Sequence, residues 1–133
     1  MNGMSLALLG AIAAAGALVS VDAGAATIRV QCEQRGTQRS KISVDGQNLA
    51  ALPAGQFYKA QAVSGASVAT SPGERLHSDE VEADFDSDRG DIANGAVAVA
   101  PSFIVDGTVT GKILAPDGTT VISDTVACRV RSR

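Results

Sequence analysis

The stretch VTGKILAPDGTTVISDTVACRVR, Val109 to Arg131, decides the fold class. Val109, Gly111 and Ile113 alternate with Thr108, Thr110 and Lys112. That is the period of a half-buried strand. Pro116-Asp117-Gly118 then supplies a hairpin turn, because proline presets its φ and glycine tolerates a positive one. The return limb, Thr119 to Arg131, holds a conflict of parity. A three-residue loop at 116–118 pairs Ile113 with Val121, which turns odd positions inward. Further along, Val126, Cys128 and Val130 are the apolar set, and they are even. One extra residue resolves the conflict. The sequence therefore predicts a β-bulge near Ser123-Asp124, after which Val109 opposes Val126.

The same period runs through the rest of the chain. Ile28, Val30 and Cys32 share one face of Thr27 to Arg35, with Arg29, Gln31, Glu33 and Arg35 on the other. Ile42 and Val44 point inward from Ser40 to Asp45, and Gly46 reads as a turn. A loop around Pro53 follows, then a strand over Gln56 to Val63 whose inward face the residues leave open. Ser67 to Thr70 is a short strand. Asp79 to Ser87 turns Val81, Ala83 and Phe85 in, and Glu80, Glu82, Asp84 and Asp86 out. Ser87 to Gly95 is a loop with at most one helical turn. Ala96 to Ala100 and Ser102 to Val105 are short strands split by Pro101. Seven or eight short strands without an amphipathic helix predict an all-β fold: an antiparallel β-sandwich, Ig-like in size, with a small β-barrel as the alternative.

Of 133 residues, Leu6 to Val21 form a 16-residue apolar run, followed by Ala23-Gly24-Ala25. The run is short for a membrane span, and the small residues suit a signal peptidase. Residues 1–25 read as a signal peptide and residues 26–133 as a single domain, exported to the periplasm or beyond. An uncleaved anchor is the alternative. No later stretch is apolar enough to span a membrane. A net charge of -3 favours no nucleic-acid partner. Cys32 and Cys128 then read as one disulfide, inward on the first and last strands. A loop of that length is worth about 4–5 kcal/mol by the chain-entropy argument. A free thiol pair or a metal site are the alternatives, and two thiolates without nearby His make a poor zinc site.

Charge is most uneven over Asp79 to Asp91, where seven acids meet one base, Arg89. Asp84, Asp86 and Asp88 have an Asp-x-Asp-x-Asp spacing that suggests a weak Ca²⁺ site, although Gly90 and Gly95 break the EF-hand pattern. On a regular strand alternate carboxylates lie ~7 Å apart and form a solvated, edge-protecting face instead. Arg29, Arg35, Arg129 and Arg131 form a candidate patch for an anionic glycan or lipid if the cysteines bring their strands together. Arg133 continues that alternation. His77 is the only imidazole and reads as a solvated loop side chain. Arg89-Gly90-Asp91 reads as a turn before it reads as a recognition tripeptide. One Tyr and no Trp leave a carboxylate-pair glycosidase without sugar platforms.

The runs DFDSDRGDIANGAVAV (84–99) and FIVDGTVTGKILAPDGTTVISDTVACRVR (103–131) resemble small exported proteobacterial proteins of unknown function. Those proteins pair an early with a late Cys and carry similar Phe-Asp-Ser and Asp-Ile-Ala-x-Gly-Ala patterns. The resemblance implies export and a β-rich fold, and no activity. The expectation is a non-enzymatic module with a binding or structural role at the cell envelope, needing no cofactor. Its partner and oligomeric state are unknown. A Ca²⁺-dependent binding module using Asp79–Asp91 is the alternative.

Overall fold

The computed structural model describes residues 25–73 and 79–131. Residues 1–24 of the export segment, His77 and Arg133 lie outside the described residues. In chain order the elements are β1 (Thr27–Arg35), β2 (Arg39–Gln47), β3 (Lys59–Ser64), β4 (Ser67–Thr70) and β5 (Val81–Asp86). They continue with α1 (Arg89–Ala93), β6 (Val97–Ala98), β7 (Thr108–Leu114), β8 (Thr120–Ala127) and β9 (Arg129–Arg131). A five-stranded sheet, β9-β1-β2-β5-β6, packs on a four-stranded one, β8-β7-β3-β4. The two sheets do not close into a barrel; the fold is a β-sandwich. Its ladders are antiparallel except at both edges of the larger sheet, where β9 joins β1 and β6 joins β5 in parallel.

The apolar alternation builds the core. Val30, Ile42, Val44, Val81, Ala83 and Phe85 project from the larger sheet onto Ala60, Ala62, Val109 and Ile113 of the smaller. Each large aliphatic or aromatic side chain buried there contributes about 1.5–3 kcal/mol. Tyr58, Ala60 and Ala62 settle the open face of the Gln56–Val63 segment: even positions are buried from Tyr58 on, and the strand itself begins at Lys59. Leu49, Phe103 and Ile104 close the ends from connecting segments.

Gly46 is not a turn. It lies inside β2, facing β7, where a Cβ would stand 2.6 Å from Ile113 Cγ1. Gly111 of β7 is its counterpart, with a Cβ position 2.5 Å from Val30 Cγ2. The sheets approach so closely at these two points that a neighbouring aliphatic side chain fills the space a Cβ would need.

Several expectations move in detail. The bulge exists, but its extra residue is Val121: Thr120 pairs with Leu114 and Ile122 with Ile113, and Val126 meets Val109 as expected. Placed beside the turn, the bulge sends Val121 to solvent and keeps Ile122 on the inner side. Ser102 to Val105 is a loop, because Phe103 and Ile104 plug the sandwich end instead of pairing. The preceding strand shrinks to Val97–Ala98. Val130 has inward parity yet is 72% exposed, since β9 leaves the smaller sheet and has nothing opposite it among the described residues.

Three buried serines tie the connections to the sheets. The Ser40 hydroxyl donates to Pro101 O (2.7 Å) and that of Ser64 to Thr108 O (2.7 Å). Ser71 Oγ accepts from Ala60 N at 2.9 Å.

Candidate functional site

The disulfide and the basic rim occupy one edge. Cys32 and Cys128 are bonded, with Cα atoms 4.7 Å apart and a sequence separation of 96. The bridge sits where the chain changes sheets. Up to Ala127 the strand pairs with β7; Cys128 N donates to Gly107 O at 2.8 Å; from Arg129 onward the strand pairs with β1. The cysteines therefore do bring the first and last strands together. Arg129 lies beside Glu33, and Arg131 beside Arg35.

Two members of the predicted patch thus gather around a carboxylate, with Arg129 next to it in register. Arg35 Nε donates to Glu33 Oε2 at 2.9 Å, and Arg131 Nε lies 3.5 Å from the same oxygen. The Arg35 hydrogen bond holds the Glu33 carboxyl below its ordinary range. Lys41 is exposed on β2 opposite Glu33 and adds a cation that sequence reading passed over. Its outward parity next to Glu33 was the available signal. Arg29 stands apart, about 13 Å up β1 from Glu33 and opposite Asp45.

A groove of about 490 Å³ opens between β1 and the crossover, lined by Val30, Gln31, Cys32, Val126, Cys128 and Arg129 among others. It exists because β9 covers only the last three residues of β1.

The acidic segment is organised differently. Asp84 is exposed on β5 beside Ser43. Asp86 was expected to be solvated, yet it is 2% exposed. Its parity is outward, but the turn carrying α1 folds over it. Arg39 grips it with two hydrogen bonds, Nε to Oδ1 at 3.0 Å and Nη2 to Oδ2 at 2.8 Å, and Asp88 N donates to Oδ1 at 3.0 Å. Burial alone would raise the Asp86 carboxyl; the Arg39 and Asp88 donors outweigh it and leave it lowered. Hydrogen bonding to Asp86 in turn raises Arg39.

Asp88 caps α1, accepting from Gly90 N at 3.1 Å and Asp91 N at 3.2 Å. Asp91 also binds Arg39. The tripeptide at 89–91 is therefore part of a helical turn whose Asp is already engaged. Asp84, Asp86 and Asp88 point to three different jobs, and no metal-holding group of three or more His, Cys, Asp or Glu occurs among the described residues. Arg39 was missed in the sequence; it stands 47 positions before Asp86, and only the fold joins them.

A second carboxylate pair lies higher on the same face. Gln47 Nε2 donates to Asp45 Oδ2 at 3.3 Å and Glu80 Oε2 at 3.4 Å. Proximity to Asp45 raises the Glu80 carboxyl. Among the described residues no helix is long and apolar enough to cross a membrane. No known protein-family model matches the chain, and no curated protein matches it either.

Proposed function

We propose that this chain is an exported, non-enzymatic β-sandwich that works by binding at the cell envelope, with its basic rim meeting an anionic ligand. One observation carries the reading: the disulfide at the sheet crossover seats Arg131 beside Arg35 and Arg129 beside Glu33, with Lys41 on the other side of Glu33. A structural bridge suits an oxidising compartment, and the apolar run before Ala23-Gly24-Ala25 supplies the route there. The resemblance to small exported proteins points the same way. The buried polar side chains Asp86, Ser40, Ser64 and Ser71 are all spent on holding the fold. The reading invokes no cofactor.

The test has two arms. Cell fractionation with intact-mass analysis should find a disulfide-bonded chain beginning at Ala26 outside the cytoplasm. That chain should sediment with phosphatidylglycerol vesicles or stay on an anionic polysaccharide column. Retention should fall with salt and be lost in Arg129→Glu/Arg131→Glu. A cytoplasmic chain with two free thiols, or retention indifferent to salt and to both substitutions, would defeat the reading.

A further inference from the structure

The unpaired part of the β1 edge gives that binding role a more specific form. All nine residues of β1 pair with β2 on one side, while β9 covers only Glu33–Arg35 on the other. Among the described residues nothing pairs with the rest of that outer edge. The direction of its backbone groups follows from β2. Ser40 N donates to Ser87 Oγ and Ser87 N to Ser40 O, so the polar groups of Ser40 face β5. By the alternation of an antiparallel ladder, Lys41, Ser43 and Asp45 then face β1, and their partners Glu33, Gln31 and Arg29 face back. Ile28 and Val30 direct their N–H and C=O groups to the open edge.

The bridge keeps this edge unpaired, with β8 running close beside it. Cys128 is held against Cys32, and everything before it belongs to the smaller sheet. The chain therefore cannot slide along β1 to cover Ile28 and Val30. The groove beside this edge runs between Val30 and Val126, and a strand needs a lateral spacing of about 4.8 Å.

The flanking side chains select the occupant. On the outer face Arg29 and Lys41 are exposed and Arg129 lies at the groove's foot; of the two acids there, Glu33 is held by Arg35 and Arg131, and Asp45 stands across from Arg29 and accepts from Gln47. On the inner side lie the apolar Ile28, Val30 and Val126. A second copy paired through its own β1 would set Arg29 against an equally basic edge, so like charges oppose it. We propose that the open edge of β1 binds an extended peptide of a partner protein as an added strand, with acidic residues alternating with apolar ones. This deepens the binding-module reading and rests on it. Main-chain hydrogen bonds to Ile28 and Val30 supply registry, and the carboxylates, all on one face, meet the arginines and Lys41.

The experiment titrates the disulfide-bonded protein with a labelled seven-residue peptide alternating Glu and Val. A second peptide carries Lys in place of Glu, and NMR follows the backbone amides. The acidic peptide should bind, the Lys peptide about tenfold more weakly or worse, and the Ile28 and Val30 amides should become protected. Ile28→Pro removes an edge donor and should abolish binding, while Ile28→Ala, which loses the same partly buried side chain but keeps the donor, should retain it. Arg29→Glu, on an exposed side chain, should weaken it about tenfold. Three results overturn the proposal: no binding of the acidic peptide at millimolar concentration, binding indifferent to Ile28→Pro and Arg29→Glu, or a concentration-dependent dimer that protects the same two amides. If the peptide fails while vesicles or polysaccharide still bind through Arg129 and Arg131, the added strand is wrong and the module reading survives. If all three fail, both fall.

Discussion

The two charged regions of the larger sheet spend their charge in opposite ways. At the acidic end, α1 folds over β5, and one arginine gathers Asp86 and Asp91 while Asp88 caps the helix. At the basic edge no element covers the outer face among the described residues, and Arg29, Arg129 and Arg131 remain exposed. By residue count the acidic segment looks the more chemically active. In the fold its later half, Asp86, Asp88 and Asp91, is structural, while Glu82 and Asp84 before it face solvent as the rim arginines do. Local charge density therefore measures demand for counterions, and the covering elements decide whether that demand is met from inside.

The largest expected effect tests the internal half of this contrast. Asp86→Asn leaves the Arg39 guanidinium without its buried partner and should destabilise by about 3–5 kcal/mol, read as a shift in denaturant midpoint. The pH dependence has a definite sign. Asp86 is lowered in the folded state, so its contribution is complete above the unfolded value near ~3.9 and is lost as pH falls through the folded value. The gap between wild type and Asp86→Asn should therefore hold at neutral pH and narrow in strong acid. A gap below ~1 kcal/mol at pH ~7 would place Asp86 with ordinary surface pairs.

At the rim, the corresponding lever is covalent. Cys32→Ala with Cys128→Ala should cost about 2–5 kcal/mol, since the bond closes a long loop. It should also release β9 first, seen as faster amide exchange at Arg129–Arg131 than in β2. Equal exchange in both strands would mean that the β9–β1 ladder holds without its staple.

A smaller effect returns to the acidic end. Asp88→Ala removes the α1 cap and should cost about 1 kcal/mol. Asp88→Ser should recover most of it, because a hydroxyl can also accept from Gly90 N. Failure of Ser to rescue would mean that charge, not capping, is what Asp88 supplies.

How much of this was readable beforehand follows from the range of each interaction. Period-two alternation placed Val30, Ile42, Val44, Val81, Ala83 and Phe85 inside, because strand parity is a property of neighbours. The cysteines had inward parity for the same reason, and the bridge joined the Arg35 and Arg131 strands. The outward parity of Asp86 was also right, but parity cannot announce that a helical turn will close over that face. Gly46 looked like a turn because the close approach of Ile113 is a contact between sheets. The bulge was needed by parity, while its position at Val121 depends on the hairpin turn beside it. The crossover at Cys128, and with it the open edge of β1, is topology, which no local pattern encodes.

The smallest expected effect bears most directly on whether the acidic end has any function of its own. Asp84 is exposed beside Ser43, flanked along the strand by Glu82 and with no hydrogen-bond partner among the described residues. Neighbouring carboxylates on one strand face sit ~7 Å apart and repel weakly through water, within a Debye length of about 10 Å at moderate salt. Asp84→Asn should therefore change stability by less than about 0.5 kcal/mol, with a slight gain that grows at low ionic strength. Millimolar Ca²⁺ should raise the melting temperature no more than the same Mg²⁺ concentration, since Asp86 would have to abandon Arg39 before it could ligate an ion. A Ca²⁺-specific rise of several degrees that disappears in Asp84→Asn would reverse the contrast between the two regions, making the acidic end a ligand site and the Arg39 pair its resting state.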